Sequence, residues 1–353
     1  MKKILVNFLY WGTENSGIFR SAYKIIEELS KICEDKIFVI TNKNFYLDKI
    51  TIIKVKTLNF KSIHFLQSQF YLNKLIKEIK PDLIFNPFHV GYLFKINSPQ
   101  ISIIYDIIPI LIYNKRIDTY LYHKLILKKL INKCTFVVTP SKVTKNELIQ
   151  LFKAPKEKIN VVYLGIDKEK FKPLNIPKEN FYLIVNATFP YKNVDYVIKL
   201  WKKFDIKENL IIVGHHPKYL KYHNYLKNLT KKLNLEDKII FYPKVTDEEL
   251  VELYNKAIAL ISPSLKEGFG LPPLEALACG TPVILSDIPV YREIYNDIAI
   301  FFDLNNDESF LFALEKLKNL NKDEFENKRK EFIKKFDWNK TAEEIYKIIK
   351  DAV

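Results

Sequence analysis

The sequence predicts an α/β protein of two domains, each built on a doubly wound parallel sheet. Short apolar segments alternate with helical patterns along the chain, an order typical of parallel strands joined by helices. The alternation restarts after Lys172-Pro173, where proline and polar residues indicate a linker. A length of 353 residues is enough for two hydrophobic cores. We therefore place the first domain at residues 1–172, the second at 173–335 and a terminal helix at 336–353.

Strands and helices follow from apolar periodicity and from the turn residues between the segments. In the first domain we predict strands near Lys3–Tyr10, Lys36–Ile40, Leu83–Phe85, Ile101–Tyr105, Phe136–Thr139 and Asn160–Tyr163, with helices that include Ile18–Cys33 and Phe65–Ile79. In the second domain we predict strands near Phe181–Asn186, Leu210–Val213, Lys238–Tyr242, Ala257–Ile261, Pro282–Leu285 and Ile298–Phe302. The chain is expected to end in two helices, the last near Trp338–Asp351.

Composition argues against several classes of protein. The longest apolar run, Ile101–Tyr113, is interrupted by Asp106 and Pro109 and is too short to span a bilayer. Met1-Lys-Lys leads directly into a strand pattern, so no signal peptide is expected. The 3 cysteines are widely spaced, which favours neither a disulfide framework nor a zinc site. The expected location is therefore cytoplasmic.

Positive charge is concentrated in the first half of the chain. Residues 1–180 contain 30 Lys and Arg against 15 Asp and Glu, so they carry the whole net charge of +15. Such an excess indicates an anionic partner. We expect an anionic membrane surface, with peripheral placement at its inner face, because the chain has no nucleic-acid motif. The basic amphipathic helix Thr119–Lys133 is the candidate contact, although a core helix with a solvated lysine face explains the same pattern.

The segment from Ser262 to Pro282 is the most informative part of the sequence. A short apolar strand leads into a turn in which Gly268 and Gly270 allow a sharp bend and close approach to a ligand. Two prolines then suit the first turn of a helix, whose unpaired N–H groups attract anions. Glu267 lies in the loop and Glu275 about one turn into the helix. The plainer interpretation is a tight strand-to-helix turn with two surface glutamates.

The whole segment resembles the signature of the retaining glycosyltransferases of family 4, in which seven residues separate two glutamates, here Glu267 and Glu275. Residues Val245–Ala257 resemble the helix that precedes this signature. The resemblance implies the GT-B fold, in which two Rossmann-like domains face each other across a cleft. It assigns the acceptor to the first domain and the nucleotide-sugar donor to the second. Phe336-Asp-Trp338 resembles the start of the terminal helix that crosses back to the first domain.

A second motif follows the first strand of the second domain. Pro190-Tyr-Lys-Asn193 resembles the family motif whose lysine binds the donor diphosphate, and this gives the role to Lys192. Many relatives also have an arginine five residues earlier, where this chain has Ala187. Lys192 is therefore expected to act alone or with another cation such as Arg20.

Three further segments resemble donor- or sugar-facing parts of the family. Gly17 matches the second glycine of a Gly-Gly loop near the donor phosphates, but Ser16 replaces the first. Asp106 matches the aspartate of a His-Asp pair beside the reacting sugar, but Tyr105 replaces the histidine. Gly214, followed by two histidines, matches the loop near the nucleoside.

The resemblance implies a metal-independent, retaining hexosyltransferase without a cofactor. It forms an α-glycosidic bond from a nucleotide sugar, with a lean towards mannose from GDP-mannose, on a glycan or lipid-linked saccharide. The expected catalytic residues are Glu267, Asp106 and Lys192. The expected donor-binding residues are Gly17, Lys192, Gly214, Val245, Gly268, Phe269, Gly270, Leu271 and Glu275.

Two alternatives remain open at this point. The substitutions Ala187 and Tyr105 are compatible with a sugar-nucleotide-binding scaffold that has lost catalysis. A nucleotide-sugar epimerase of the same architecture is less favoured, because that family lacks the two-glutamate signature.

Overall fold

The computed structural model describes residues 1–10, 16–44, 46–58, 61–112, 117–187, 189–214 and 220–353. The chain divides into two compact units. Unit 1 comprises residues 1–165 and 336–353, and unit 2 comprises residues 166–335. The division between the units falls after Gly165, earlier in the chain than the linker predicted at Lys172-Pro173.

Within its described residues, unit 1 contains a seven-stranded sheet in which every pair of neighbours is parallel. Its strands are β1 (Lys3–Phe8), β2 (Lys36–Thr41), β3 (Thr51–Lys54), β4 (Leu83–Asn86), β5 (Gln100–Ile103), β6 (Phe136–Thr139) and β7 (Ile159–Val161). Their order across the sheet is β3-β2-β1-β4-β5-β6-β7. The helices are α1 (Gly17–Ile32), α2 (Lys61–Ile79), α3 (Ile108–Ile112), α4 (Ile117–Lys133) and α5 (Lys142–Phe152).

Unit 2 contains, among its described residues, a six-stranded parallel sheet. Its strands are β8 (Phe181–Val185), β9 (Asn209–Val213), β10 (Ile239–Tyr242), β11 (Leu260–Ser262), β12 (Val283–Ser286) and β13 (Ile300–Phe302), in the order β10-β9-β8-β11-β12-β13. The helices are α6 (Val194–Lys203), α7 (Leu220–Lys232), α8 (Asp247–Lys256), α9 (Leu271–Ala278), α10 (Pro289–Tyr295), α11 (Asp307–Lys318) and α12 (Lys322–Lys334).

The last helix, α13 (Trp338–Ala352), packs against α1 of unit 1. Asp337 caps its first turn by accepting a hydrogen bond from the Asn339 N–H (2.9 Å). The Thr341 hydroxyl donates to the Tyr163 carbonyl (2.8 Å). A side chain at Gly165 would collide with the backbone of Trp338, only 2.3 Å from the added Cβ. The close approach of this helix to the chain near residue 165 therefore depends on glycine.

The doubly wound architecture predicted from the sequence is confirmed in both units. In each sheet the strand order reverses at one point, between β1 and β4 in unit 1 and between β8 and β11 in unit 2. Loops that leave two neighbouring strands at such a reversal run in opposite directions and open a crevice at the carboxyl end of the sheet. In unit 2 the strands β8 and β11 lead into the two motifs that the sequence analysis singled out.

Among the strands, the structure differs from the sequence prediction most clearly at β3 and at the start of β11. Strand β3 was not predicted, because its partly exposed residues show no clear alternation of buried and exposed positions. The predicted strand Ala257–Ile261 begins only at Leu260, because Ala257 still caps α8 by donating its N–H to the Leu253 carbonyl (3.0 Å). Among the described residues, no helix is both long and apolar enough to cross a bilayer.

Candidate functional site

The two motifs of unit 2 meet at the reversal between β8 and β11. Lys192 ends a short 3-10 turn (Pro190–Lys192) after β8, and Glu267 lies in the loop after β11. The Leu265 N–H donates to the Tyr191 carbonyl (2.8 Å), which ties the two loops together through their backbones. The sheet topology thus brings together two residues that are 75 positions apart in sequence.

Lys192 and Glu267 form a buried ion pair. The Lys192 Nζ lies 2.6 Å from the Glu267 Oε1, and the two side chains are only 8% and 10% exposed. Burial of two charges is costly unless they are paired and further hydrogen-bonded. The Ser264 hydroxyl supplies such a bond to the same Oε1 (2.7 Å), and the Tyr291 hydroxyl adds a longer contact (3.4 Å). The pair is therefore held by donors from two sides.

Helix α9 begins at the glycine-rich turn, as the sequence predicted. Gly270 adopts a left-handed backbone (φ +91°) and precedes a first turn that contains two prolines. A Cβ at Gly270 would lie 2.6 Å from the Tyr291 ring, so only glycine fits here. The Tyr295 hydroxyl donates to the Gly270 carbonyl (2.5 Å). Two tyrosines of α10 therefore contact the backbone at the start of α9 and hold it in place.

Glu275 is also buried. It lies on α9 with 4% exposure, and its Oε2 accepts a hydrogen bond from the Tyr254 hydroxyl of α8 (2.8 Å). The plainer interpretation, a turn with two surface glutamates, is wrong for both carboxylates. Buried and hydrogen-bonded carboxylates beside a helix N-terminus are more typical of a ligand site than of a solvated surface.

The tyrosines around these carboxylates act as hydrogen-bond donors. Burial raises the pKa of the Tyr291 hydroxyl well above its usual value, and the negative charge of Glu267 raises it further. Burial also raises the pKa of Tyr295, with added contributions from Glu267 and Glu275. Both phenols therefore stay protonated at neutral pH and can donate to an oxygen.

The other donor-binding residues predicted in unit 2 lie in the turn before α9, after β9 and before α8. Phe269 is buried (4% exposed) between the two glycines of the turn. Gly214 follows β9 with a left-handed backbone (φ +100°), and its N–H donates to the Tyr242 carbonyl (2.9 Å). Val245 precedes the capping box of α8, formed by Thr246 and Glu249. The two histidines predicted near the nucleoside, residues 215 and 216, lie outside the described residues.

Ala187 belongs to the hydrophobic core and is 2% exposed. Its backbone N–H donates to the Val213 carbonyl (3.2 Å). The position at which many relatives carry an arginine is thus occupied by a small packed side chain. Lys192 remains the predicted diphosphate cation of unit 2.

In unit 1, Asp106 follows β5 and accepts a hydrogen bond from the Ile108 N–H (3.0 Å) at the start of α3. This is a local bond between a carboxylate and the backbone N–H two residues further on, a pattern typical of aspartate in turns. The neighbouring Tyr105 is 5% exposed, and burial raises the pKa of its hydroxyl. The described residues offer that hydroxyl no hydrogen-bond partner.

Gly17 is the first residue of α1, with Ser16 as its cap. The Ser16 hydroxyl accepts from the Phe19 N–H (3.2 Å) and contacts the Tyr10 hydroxyl (2.8 Å). Ser16, which replaces the first glycine of the loop, thus accepts a hydrogen bond from one of the free N–H groups in the first turn of α1. The preceding loop residues 11–15 lie outside the described part of the chain.

Sequence reasoning did not identify Ser264, Tyr254, Tyr291 or Tyr295. Ser264 lies within the signature segment, and a serine three residues before a glutamate was the available signal. The tyrosines come from α8 and α10, so their relation to the glutamates depends on helix packing alone. In the described residues there is no group of three His, Cys, Asp or Glu side chains placed to hold a metal ion.

The buried pair predicts strong energetic coupling between its partners. Lys192→Met and Glu267→Gln each leave the other charge without its partner, so each is expected to destabilise unit 2 by about 3–5 kcal/mol. In the double variant, the free energy of unfolding is expected to fall by less than the sum of the two single losses. The difference is expected to be at least about 1 kcal/mol. Urea unfolding of the four proteins measures this coupling.

The exposed pair formed by Lys328 and Glu324 (2.7 Å) serves as the matched control within the same unit. Its corresponding variants, Lys328→Met and Glu324→Gln, are expected to show no measurable coupling, because water and salt screen exposed pairs. If the losses of the Lys192 and Glu267 variants were simply additive, the predicted coupling between the two side chains would be wrong.

Comparison with known proteins agrees with this architecture. The family model described as "Glycosyl transferases group 1" matches residues 165–347, and the model "Glycosyltransferase Family 4" matches residues 16–170. The chain is similar to the O-antigen chain mannosyltransferase RfbU of Salmonella typhimurium. The two are 30% identical over 330 residues, which cover 90% of this chain and 91% of that protein.

Solved structures share the fold at low sequence identity. Sucrose-phosphate synthase from Thermosynechococcus elongatus aligns with a TM-score of 0.83 at 16% identity, over 99% of both chains. Anabaena HepE, solved in complex with UDP-glucose, aligns with a TM-score of 0.78 at 16% identity, over 99% of this chain and all of that one. Together with the family models and the mannosyltransferase relative, these matches establish that the chain belongs to glycosyltransferase family 4, the group 1 glycosyl transferases, and is a glycosyltransferase of the GT-B fold.

Proposed function

We propose that this glycosyltransferase moves a hexose, mannose from GDP-mannose, to a glycan or lipid-linked saccharide and forms an α-glycosidic bond with retention. The observation that carries the proposal is the buried pair of Lys192 and Glu267 beside the N-terminus of α9. The similarity to an O-antigen mannosyltransferase supports the choice of mannose and of a saccharide acceptor.

The chemistry assigns separate tasks to the residues of the pair. During transfer, the bond between the anomeric carbon and the diphosphate oxygen breaks while negative charge grows on the diphosphate. Lys192 has three N–H donors and gives one to Glu267, so the other two can stabilise that charge together with the backbone N–H groups of residues 268–271. Glu267 then accepts from hydroxyls of the transferred sugar.

Retention requires the acceptor oxygen to bond the anomeric carbon on the face that the diphosphate leaves. In our proposal the acceptor proton passes to the departing phosphate oxygen, so the step needs neither a metal ion nor a cofactor. Glu275 accepts from ribose hydroxyls of the nucleotide. Asp106 stays a predicted catalytic residue on the basis of the family motif.

The identity of the donor is tested by measuring the melting temperature with a panel of nucleotide sugars. We expect GDP-mannose to raise the melting temperature more than other nucleotide sugars, since a ligand at 100 times its Kd adds about 2.7 kcal/mol of stability.

Glu267→Gln is expected to lower kcat by about 10²–10³ with little change in GDP affinity. Glu275→Gln is expected to weaken GDP binding instead. Wild-type kinetics in both variants would overturn the assignment of the site.

The metal-free step is tested with a chelator. EDTA is expected to leave the rate of the wild-type enzyme unchanged, because Lys192 and the start of α9 supply the positive charge. The assay measures nucleoside diphosphate release with and without acceptor. Loss of activity in EDTA and its recovery with magnesium would contradict the proposal.

The basic first half of the chain supports a second property, binding to an anionic membrane surface. Helix α4 exposes Leu125, Lys128, Lys129 and Lys133 along one stripe, whereas Lys124 is half-buried and donates to the Tyr120 hydroxyl (2.9 Å). Lysines that flank an apolar side chain on one helix face suit anionic headgroups above acyl chains.

Further exposed apolar residues lie on other segments of unit 1, and one of them contacts α4. The Lys129 Nζ lies over the Phe94 ring (5.8 Å), and Phe94 is 57% exposed. The loop before Phe94 is fastened to α2, since the Leu93 N–H donates to Gln69 (2.9 Å). On α2, Leu66 and Phe70 are 66% and 67% exposed. Large exposed apolar side chains are typical of a docking surface, and Phe94 also contacts a lysine.

Vesicle cosedimentation tests this surface. We expect binding to vesicles with anionic lipid at low salt, and much weaker binding at high salt or to neutral vesicles. The variant Lys128→Glu/Lys129→Glu is expected to lower binding by at least about 25-fold, since each lysine contributes about 1 kcal/mol. Phe70→Ser is also expected to weaken binding.

Matched controls come from unit 2. Lys231→Glu/Lys232→Glu makes the same change in net charge, and Phe312→Ser removes a phenylalanine of similar exposure (66%). Equal loss of binding in these controls, or binding that is indifferent to salt, would contradict a specific surface on unit 1.

A further inference from the structure

Each glutamate of the signature is held by a hydroxyl from a completely buried residue. Ser264 and Tyr254 are both 0% exposed, and they donate to Glu267 and Glu275 over 2.7 and 2.8 Å. We infer that Ser264 and Tyr254 are positioning residues, Ser264 for the carboxylate that faces the reacting sugar and Tyr254 for the carboxylate that binds the nucleotide. This inference rests on the proposed function.

The backbone of Ser264 is held by a hydrogen bond from the neighbouring strand. Its carbonyl accepts a hydrogen bond from the Ser286 hydroxyl (2.6 Å), and Ser286 ends the neighbouring strand β12 and is itself fully buried. The loop after β11 is therefore anchored to the adjacent strand at the residue that holds Glu267. A hydroxyl on such an anchored backbone has little freedom to follow a moving carboxylate.

The hydrogen bonds of Glu267 are unevenly divided between its two oxygens. Within the described residues, Lys192, Ser264 and Tyr291 all contact Oε1. Anchoring one oxygen in this way sets the rotation of the carboxylate plane and leaves Oε2 as the atom that we assign to a sugar hydroxyl. Loss of the Ser264 bond removes the shortest hydroxyl contact that determines this rotation.

Tyr254 fixes Glu275 from a different element. It lies on α8, its ring packs edge-on against Phe171 (6.2 Å), and its carbonyl accepts from the Thr281 hydroxyl (2.5 Å). Its phenol reaches Oε2 of Glu275 across the contact between α8 and α9. A neighbouring helix therefore contributes to the orientation of this carboxylate.

The two bonds have separable consequences. A misplaced Glu267 affects a group needed as the sugar leaves, so turnover falls while the nucleotide still binds. A misplaced Glu275 affects a group needed to hold the nucleotide, so affinity falls while the bound donor still reacts. Misplacement of about 1 Å in a reacting group can cost about a hundred-fold in rate.

The test compares Ser264→Ala and Tyr254→Phe, which each delete one hydroxyl. The control is Tyr196→Phe, because the Tyr196 hydroxyl also donates to a carboxylate over 2.8 Å, that of Asp307, without touching either signature glutamate. Kinetics use the donor selected by the panel, and binding uses GDP, or UDP if a UDP-sugar is selected. Melting temperatures are measured on every variant.

We expect Ser264→Ala to lower kcat by between about ten-fold and a hundred-fold, with the Kd of the nucleoside diphosphate within about two-fold of wild type. Tyr254→Phe should raise that Kd by about ten-fold, the effect of one lost hydrogen bond to a charged group, and alter kcat by less than about three-fold. Tyr196→Phe should leave both quantities within about two-fold.

Two results would overturn the inference. One is wild-type kcat in Ser264→Ala, or wild-type affinity in Tyr254→Phe, while Glu267→Gln shows its expected loss of kcat. The other is a parallel loss of kcat and affinity in both variants that follows the melting temperature, since this is the result of a merely structural role. Full activity of Glu267→Gln would instead refute the proposed site itself.

Discussion

The buried ion pair between Lys192 and Glu267 is the interaction on which the arrangement of unit 2 depends. Two charges that are about nine-tenths buried would be unfavourable without close contact and additional hydrogen bonds. The fold meets this requirement at the reversal of strand order, where the loops after β8 and β11 start side by side. Ser264 and Tyr291 add donors to the same carboxylate oxygen, which lowers the cost of its burial.

In the proposed function the same ion pair prepares a site for an anionic donor. Glu267 neutralises Lys192 by accepting one of its three N–H donors, and we propose that the other two bind the diphosphate. The start of α9 adds backbone N–H groups at the same sheet end. Because Ala187 is packed in the core, Lys192 is the predicted cation that must serve both the stability of the loop and the binding of the donor.

A layer of tyrosines lies behind this arrangement. Tyr291 and Tyr295 of α10 meet edge to face (5.9 Å) and hold the turn at Gly270, while Tyr254 of α8 holds Glu275. A phenol combines a large apolar surface for packing with one directional donor, so it can fill the core and orient a carboxylate at the same time. Burial raises the pKa of Tyr291 and of Tyr295, so these two phenols stay protonated and able to donate.

The sequence by itself determined the doubly wound class of both units, most strand positions and the two motifs that flank the site. These properties are local: apolar periodicity, glycine and proline at a turn, and two glutamates at a fixed spacing along one segment. Strand β3 escaped because its residues are only partly buried, so their pattern carries little hydrophobic signal.

Only the tertiary structure decided which residues contact the signature glutamates. Strand order brings Lys192 to Glu267 across 75 positions, and helix packing brings Tyr254 to Glu275 and Tyr291 to Glu267. Burial of both carboxylates was likewise invisible in a segment that also fits an exposed turn. The physical reason is that hydrogen bonds between distant elements depend on sheet order and on the rotation of packed helices, and local periodicity specifies neither.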